Sequence, residues 1–309
     1  MSSLDARSAG RARLQADGAL LFVTVFWGIT FTVVKEALRH GDPFSFLTLR
    51  FLLGALALTA VARGAVLVPA TLRRGGLLGL FLVLGFALQT VGLVTTTPSR
   101  SAFITGLYVV LVPVLGLALF RRIPRVPSLL GVVLAAWGLY YLTGSELSGG
   151  LSVGDGLTLG CAVAYAFHIL FTERYARKEG VSGLVAVQLW VVCGLSALCL
   201  PFTQVRVEWT PVFLGAVALT GLLASAGAIW LQTWAQARTT AVRAGLIYAS
   251  EPVFAAMYSV ALGMETLGAR EWTGGVLILL GVVVAEVGGY VWDRLRARRA
   301  ASGASEGEG

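Results

Sequence analysis

The alternation of apolar and polar positions divides the chain into ten apolar stretches: 18–38, 44–62, 74–93, 101–120, 127–143, 155–173, 183–201, 212–234, 241–262 and 272–292. Each is close to the length of about 20 residues that an α-helix needs to cross a bilayer core. The polar connections between them are short, which leaves no room for a soluble catalytic module. The first stretch is too long for a signal-peptide core and has no small-residue cleavage site after it, so it reads as a span.

The pattern occurs twice. An offset of 143 positions sets Leu88, Gln89 and Thr90 on Leu231, Gln232 and Thr233, then Thr97 and Arg100 on Thr240 and Arg243. It also carries Gly131 to Gly274 and Gly138 to Gly281. An offset of 138 sets Asp17-Gly18 on Asp155-Gly156, Trp27-Gly28 on Tyr165-Ala166, and Arg50 on Gln188. A repeat this long suits neither a solenoid unit nor a propeller blade. The organisation predicted is a polar arm (1–17), a first repeat (18–143), a linker (144–154), a second repeat (155–292) and a tail (293–309) that is basic at first and then small-residue over 300–309, where it should be disordered. Five spans per repeat is an odd number, so the second copy starts from the opposite side of the membrane. The fold class expected is therefore an all-α integral membrane protein with ten transmembrane helices in two inverted five-helix repeats. Such arrangements place a binding site at the midplane, between halves that rock against one another.

Composition agrees: 57% of the 309 residues are hydrophobic and 13% are charged, against about a quarter charged in soluble domains. The net charge of +8 does not indicate nucleic acid, because its placement follows the positive-inside rule. With the N-terminus cytoplasmic, 18 Lys and Arg fall on the cytoplasmic side and 5 on the other, with Arg50 inside a span. Both termini are expected in the cytoplasm. The polybasic end Arg294, Arg296, Arg298 and Arg299 reads as a topology anchor or a contact for anionic lipid.

Several chemistries are excluded. Neither lysine, Lys35 nor Lys178, follows a glycine, so there is no phosphate loop. His40 and His168 cannot form a helical zinc pair, and no G-x-S-x-G elbow is present. No metal or cofactor is expected. The three cysteines, all within spans, should only pack.

Glu251, directly before Pro252, stands about eleven residues into its span, or about 16 Å along the axis. An intramembrane carboxyl is costly and marks a functional interior by default, here a proton-coupling site. The alternative is a protonated side chain bonded to a hydroxyl or to a carbonyl freed by the proline. Ala244, Tyr248, Glu251, Ala255 and Tyr258 share one helix face, as do their counterparts Ser101, Thr105, Tyr108, Val112 and Leu115. Spans four and nine should therefore face each other or a shared cavity. Pro113 has Ala256 as counterpart, which would put the two kinks one turn out of symmetry.

Arg50 lies roughly 10 Å deep by the same rise; it can snorkel, pair with an acid or hold an anionic substrate group. Gln89 and Gln232 are matched amides, suited to helix-to-helix bonding or to substrate. Trp27, Tyr165, Trp230 and Tyr248 can form an aromatic wall or simply pack. The substrate-binding set is then Trp27, Arg50, Gln89, Tyr108, Tyr165, Gln232 and Tyr248. His168 and Glu173 on span six and Glu286 on span ten lie nearer the cytoplasmic side, as gate or relay groups or as structural pairs.

FWGITFTVVK near the start, TLRFLLGALAL, LQTVGLVTTTPSRSAFITGLYVVLVPVL and SEPVFAAMYSVALGMETLGAREWTGGVLILLGVVV together resemble the EamA family of the drug/metabolite transporter superfamily, over about 18–290. The resemblance implies a ten-helix, inverted-repeat secondary transporter of the inner (plasma) membrane, commonly an exporter of amino acids or other small metabolites, with a central cavity lined by both halves. The family's Glu-Pro falls on Glu251-Pro252 and its helix-end acid on Glu265. In the first repeat Tyr108-Val109 and Arg122 stand in those places.

The function expected is secondary active transport of neutral or zwitterionic small molecules by alternating access, driven by protons if by any ion. The alternatives are an integral-membrane enzyme or lipid-carrier handler built on His168, Glu173 and Glu286, and then a passive channel. Expected partners are a small-molecule substrate and the lipid bilayer, with a homodimer allowed and nucleic acid excluded.

Overall fold

The structure, a computed structural model, describes residues 3–143, 152–263 and 266–306. Glu265 and most of the linker lie outside them.

Among the described residues the architecture is all-helical, with a single isolated bridge between Gly41 and Val207. The helices are α1 (Ser3–Ala37), α2 (Pro43–Ala62), α3 (Pro69–Thr95), α4 (Pro98–Gly106), α5 (Tyr108–Phe120), α6 (Val126–Thr143) and α7 (Val153–Ala176) in the first part. They continue as α8 (Val181–Cys199), α9 (Pro211–Ala218), α10 (Ala228–Gln236), α11 (Ala241–Tyr248), α12 (Glu251–Ala261) and α13 (Ala269–Glu306). Start signals recur where backbone donors need partners. Asp42 accepts from the Phe44 and Ser45 amides ahead of α2, and Thr97 and Thr240 cap α4 and α11 at the same repeat position. Ser152 and Asp155 form a capping box on α7.

Seven helical stretches are long and apolar enough to cross a bilayer: Leu14–Ala37, Pro43–Leu67, Pro69–Thr95, Pro98–Phe120, Val153–Ala176, Val181–Phe202 and Pro211–Gln236. Helices also occupy the three remaining predicted spans. These are the shorter α6, the broken pair α11–α12, and α13, which continues to Glu306 into the small-residue tail.

Spans four and nine are not continuous helices kinked by proline. The first is broken at Leu107 between α4 and α5, the second at Ala249–Ser250 between α11 and α12. Leu107 and Ser250 are separated by the 143-residue offset, so the breaks coincide in the two halves. The predicted one-turn asymmetry is thus corrected, because Pro113 lies within α5 and does not interrupt it. Pro252 occupies the first turn of α12, where a missing N–H removes no helical bond.

Contacts between the halves come in matched pairs. α6 packs on α13 and α2 on α8, while α3 against α7 is answered by α10 against α1, and α5 against α7 by α12 against α1. At the α6–α13 crossing, a Cβ on Gly131 would lie 2.5 Å from the Gly281 carbonyl oxygen, and one on Gly138 would lie 2.6 Å from that of Gly274. Small residues let helix backbones approach this closely in lipid. Two buried ion pairs show the same correspondence: Arg243 to Asp17 at 2.6 Å, and Arg100 to Asp155 at 2.7 Å.

Candidate functional site

The two helix breaks define the site. Tyr108 begins α5 and Glu251 begins α12, so both side chains leave the backbone where a half-helix starts inside the protein. The partial positive charge of a helix N-terminus favours a carboxylate there. Tyr108 Oη donates to Glu251 Oε2 at 3.2 Å, and Glu251 is 7% exposed.

Around this pair lies a cavity. All eight residues singled out in the sequence line it: Trp27, Arg50, Gln89, Tyr108, Tyr165, Gln232, Tyr248 and Glu251. Four of the eight are aromatic, and the rings of Trp27 and Tyr108 each pack against Tyr248, at 5.5 and 6.4 Å between centroids. Both glutamine amides are held by neighbours: Gln89 Nε2 donates to Thr105 Oγ1 and Gln232 Nε2 to Gln236 Oε1, each at 3.1 Å. The buried Tyr248 hydroxyl lies beside Gln232 but short of hydrogen-bond geometry.

Arg50 neither snorkels nor pairs with an acid. It is 2% exposed, its guanidinium lies over the rings of Phe51 and Phe86 at 5.2 and 4.8 Å, and Nε donates to Ser225 Oγ at 2.8 Å. No carboxylate among the described residues neutralises it. Ser225 belongs to a π-helical segment, Leu219–Gly227, set between α9 and α10. The same segment offers the Ala224 carbonyl to Trp27 Nε1 at 3.0 Å. Widened helical turns free backbone acceptors and often occur at functional sites. Gly54 and Gly221 let α2 approach it, since a Cβ on Gly221 would lie 2.7 Å from the Arg50 carbonyl oxygen.

Sequence reasoning missed the π segment, whose one trace is the small-residue run Ala224–Gly227. It also misplaced His168. That ring faces the central cavity and bonds Gln188, the counterpart of Arg50, at 2.8 Å. Glu173 lines a separate cleft, and the Glu286 side chain lies outside the described set. His168 and Glu173 therefore do not form one reactive cluster. Trp230 packs at the edge of a neighbouring core and donates to Ser182 Oγ. Among the described residues, no group of three metal-binding side chains occurs.

The pattern of the EamA-like transporter family matches residues 15–144 and 152–286. The chain belongs to that family. It is a multi-span membrane protein and a transporter rather than an enzyme. An uncharacterized transporter of Archaeoglobus fulgidus is 34% identical over 278 residues, covering 90% of this chain and 88% of its own. The inner membrane transporter YedA of Escherichia coli, also uncharacterized, is 26% identical over 91% of this chain and 94% of its own. A probable amino-acid metabolite efflux pump of Salmonella typhimurium is 32% identical over 185 residues, 56% of this chain and 59% of its own. A crystal structure with a TM-score of 0.73 and 20% identity, covering 89% of this chain and 98% of its own, shares the fold.

Proposed function

We propose that this transporter is a secondary active exporter of small zwitterionic metabolites such as amino acids, working by alternating access between two inverted five-span halves, with Glu251 as the proton-coupling acid. The observation that carries the reading is the chemistry of the cavity. A carboxyl and a guanidinium with no acidic partner are held apart on one aromatic-lined chamber. A zwitterion presents the complementary charges, and an arginine fork is suited to a carboxylate.

Three further observations support the reading. Tyr108 and Glu251 are repeat counterparts that touch, as expected of residues beside a pseudo-two-fold axis in the membrane plane. The Gly131–Gly281 contact is the image of Gly138–Gly274, and the Asp17–Arg243 pair is the image of Asp155–Arg100. A probable amino-acid metabolite efflux pump of Salmonella typhimurium is similar to this chain over 59% of its own length. Ten spans, an inner-membrane location and cytoplasmic termini complete the proposal, the last supported by the excess of basic residues on one side.

Counterflow of labelled amino acids in proteoliposomes, with and without a pH gradient, tests it. Saturable counterflow in the wild type, with gradient-driven accumulation lost in Glu251→Gln, is expected. Gradient response that survives the substitution would remove Glu251 from the coupling role.

A further inference from the structure

A second cavity, an open cleft, is separate from the transport chamber. It is bounded by the α5–α6 connection, the end of α7 and the first turn of α11. Arg122, Arg125, Arg174 and Arg243 line it, against one carboxylate, Glu173. That carboxylate is fully engaged: it accepts from Arg122 at 3.1 Å, Arg177 at 3.3 Å and the Ala241 amide at 2.9 Å. Arg243 is bonded to Asp17.

Arg174 pairs with no carboxylate among the described residues. Its guanidinium lies over the Phe120 ring at 5.5 Å, and that of Arg122 over the same ring at 6.0 Å. One aromatic ring thus gathers two like charges, of which Glu173 pairs with Arg122 and leaves that of Arg174 without an acid among the described residues. Two helices, α6 and α11, also begin at the cleft, and their N-termini add partial positive charge. The positive-inside rule accounts for arginines on this side of the membrane but not for their convergence: Arg63 and Arg73 satisfy the rule equally and do not line the cleft.

The cleft is also partly apolar, with Gly116, Leu170 and Ala285 in its wall. It adjoins Leu117, Leu119 and Ile123, which are exposed on the protein surface. A soluble anion would have no use for such a surface, whereas an amphiphile would. We propose that the cleft is a binding site for the phosphate-bearing headgroup of an anionic lipid in the leaflet on the Arg122 side, with the acyl chain lying along α5.

The full chain, purified in a neutral detergent, is titrated with short-chain phosphatidylglycerol, with phosphatidylcholine and with inorganic phosphate, and bound lipid is counted by native mass spectrometry alongside the melting temperature. Phosphatidylglycerol is expected to bind saturably and raise the melting temperature, and phosphatidylcholine to do neither. Arg174→Gln, which breaks no ion pair, should weaken phosphatidylglycerol binding about tenfold through loss of a charge-assisted contact, and Arg122→Gln by at least as much. Arg73→Gln, at an exposed arginine that does not line the cleft, should leave it unchanged. Equal binding by Arg174→Gln and wild type, or equal loss in Arg73→Gln, overturns the site. Stabilisation by inorganic phosphate as strong as that by the lipid replaces the lipid with a soluble anion and overturns the assignment.

Discussion

Tyr108 and Glu251, hydrogen-bonded at 3.2 Å, are 143 residues apart, the same offset that sets the later part of the first repeat on that of the second. The two halves thus meet at one position that carries a phenol in one copy and a carboxyl in the other. If the position rather than the copy matters, the residues should be exchangeable. Glu251→Tyr alone is expected to abolish gradient-driven transport. The double variant Tyr108→Glu/Glu251→Tyr should recover it to within about tenfold of wild type, a loss equivalent to one hydrogen bond to a charged group. Proteoliposome accumulation measures both. No recovery in a double variant that melts like the wild type would mean that the two copies are not interchangeable at this point.

The ion pairs Asp17–Arg243 and Asp155–Arg100 link the halves from side chains at most 12% exposed. Removing one partner of such a pair leaves the other charge uncompensated, at a cost of about 3–5 kcal/mol. Arg100→Gln and Asp155→Asn should each lower the melting temperature in detergent. The double variant should be more stable than either single one, because no orphaned charge remains. Additive losses would show that the pair contributes no coupling energy.

The α6–α13 crossing depends on backbone contact. A Cβ on Gly281 would come within 2.6 Å of the Gly131 carbonyl oxygen, whereas one on Gly76 would meet nothing within 4 Å. Gly281→Leu is therefore expected to destabilise by about 1–3 kcal/mol through overpacking, and Gly76→Leu to be neutral. Thermal melting of the two variants side by side checks this; equal midpoints would contradict the close approach.

Asp42 offers a pH test outside the spans. Burial on its own would raise the carboxyl's pKa, but hydrogen bonds from Ser45, Arg206 and Phe44 outweigh it and hold the group below its ordinary range. A depressed folded pKa contributes stability that is complete above the unfolded carboxyl range and is lost as pH falls through the folded value. Asp42→Ala should cost about 1 kcal/mol at neutral pH, the usual value of an N-cap. The gap from wild type should close on acidification below the range of a free aspartate. A gap independent of pH would assign the effect to something other than the carboxylate.

Much of this was legible in the chain because the membrane simplifies the code. Apolar stretches mark helices, small residues mark crossings, and an ionisable group such as Glu251 or Arg50 inside a span announces an interior. The offsets of 143 and 138 located the Asp17–Arg243 and Asp155–Arg100 positions without revealing that they pair across the halves. What was not legible is backbone irregularity. Proline drew attention to Pro252 and Pro113, yet the breaks fall at Leu107, six residues ahead of Pro113, and at Ala249–Ser250, just ahead of Pro252 in the first turn of α12. The π segment that holds Arg50 has no strong sequence mark either. His168 was misjudged because its depth along a helix does not tell which cavity its face meets.

Arg50 carries the most specific consequence for substrate. Its charge is delocalised, lies over two phenyl rings and is fixed through Nε by Ser225. Burying such a cation without an acid is costly, so the arrangement is justified if the transported molecule supplies the anion. Wild-type counterflow should then favour an amino acid over its carboxamide by about tenfold or more, the difference between a charged and a neutral acceptor. Arg50→Gln should erase that preference rather than merely slow transport. Arg50→Lys should restore little of it, since an ammonium has neither the planar fork nor the ring contacts. Ser225→Ala leaves the charge in place but frees its orientation, so it should weaken discrimination less than Arg50→Gln. If Arg50→Gln discriminates as well as the wild type, the guanidinium is a packing element of the chamber and the carboxylate is read elsewhere.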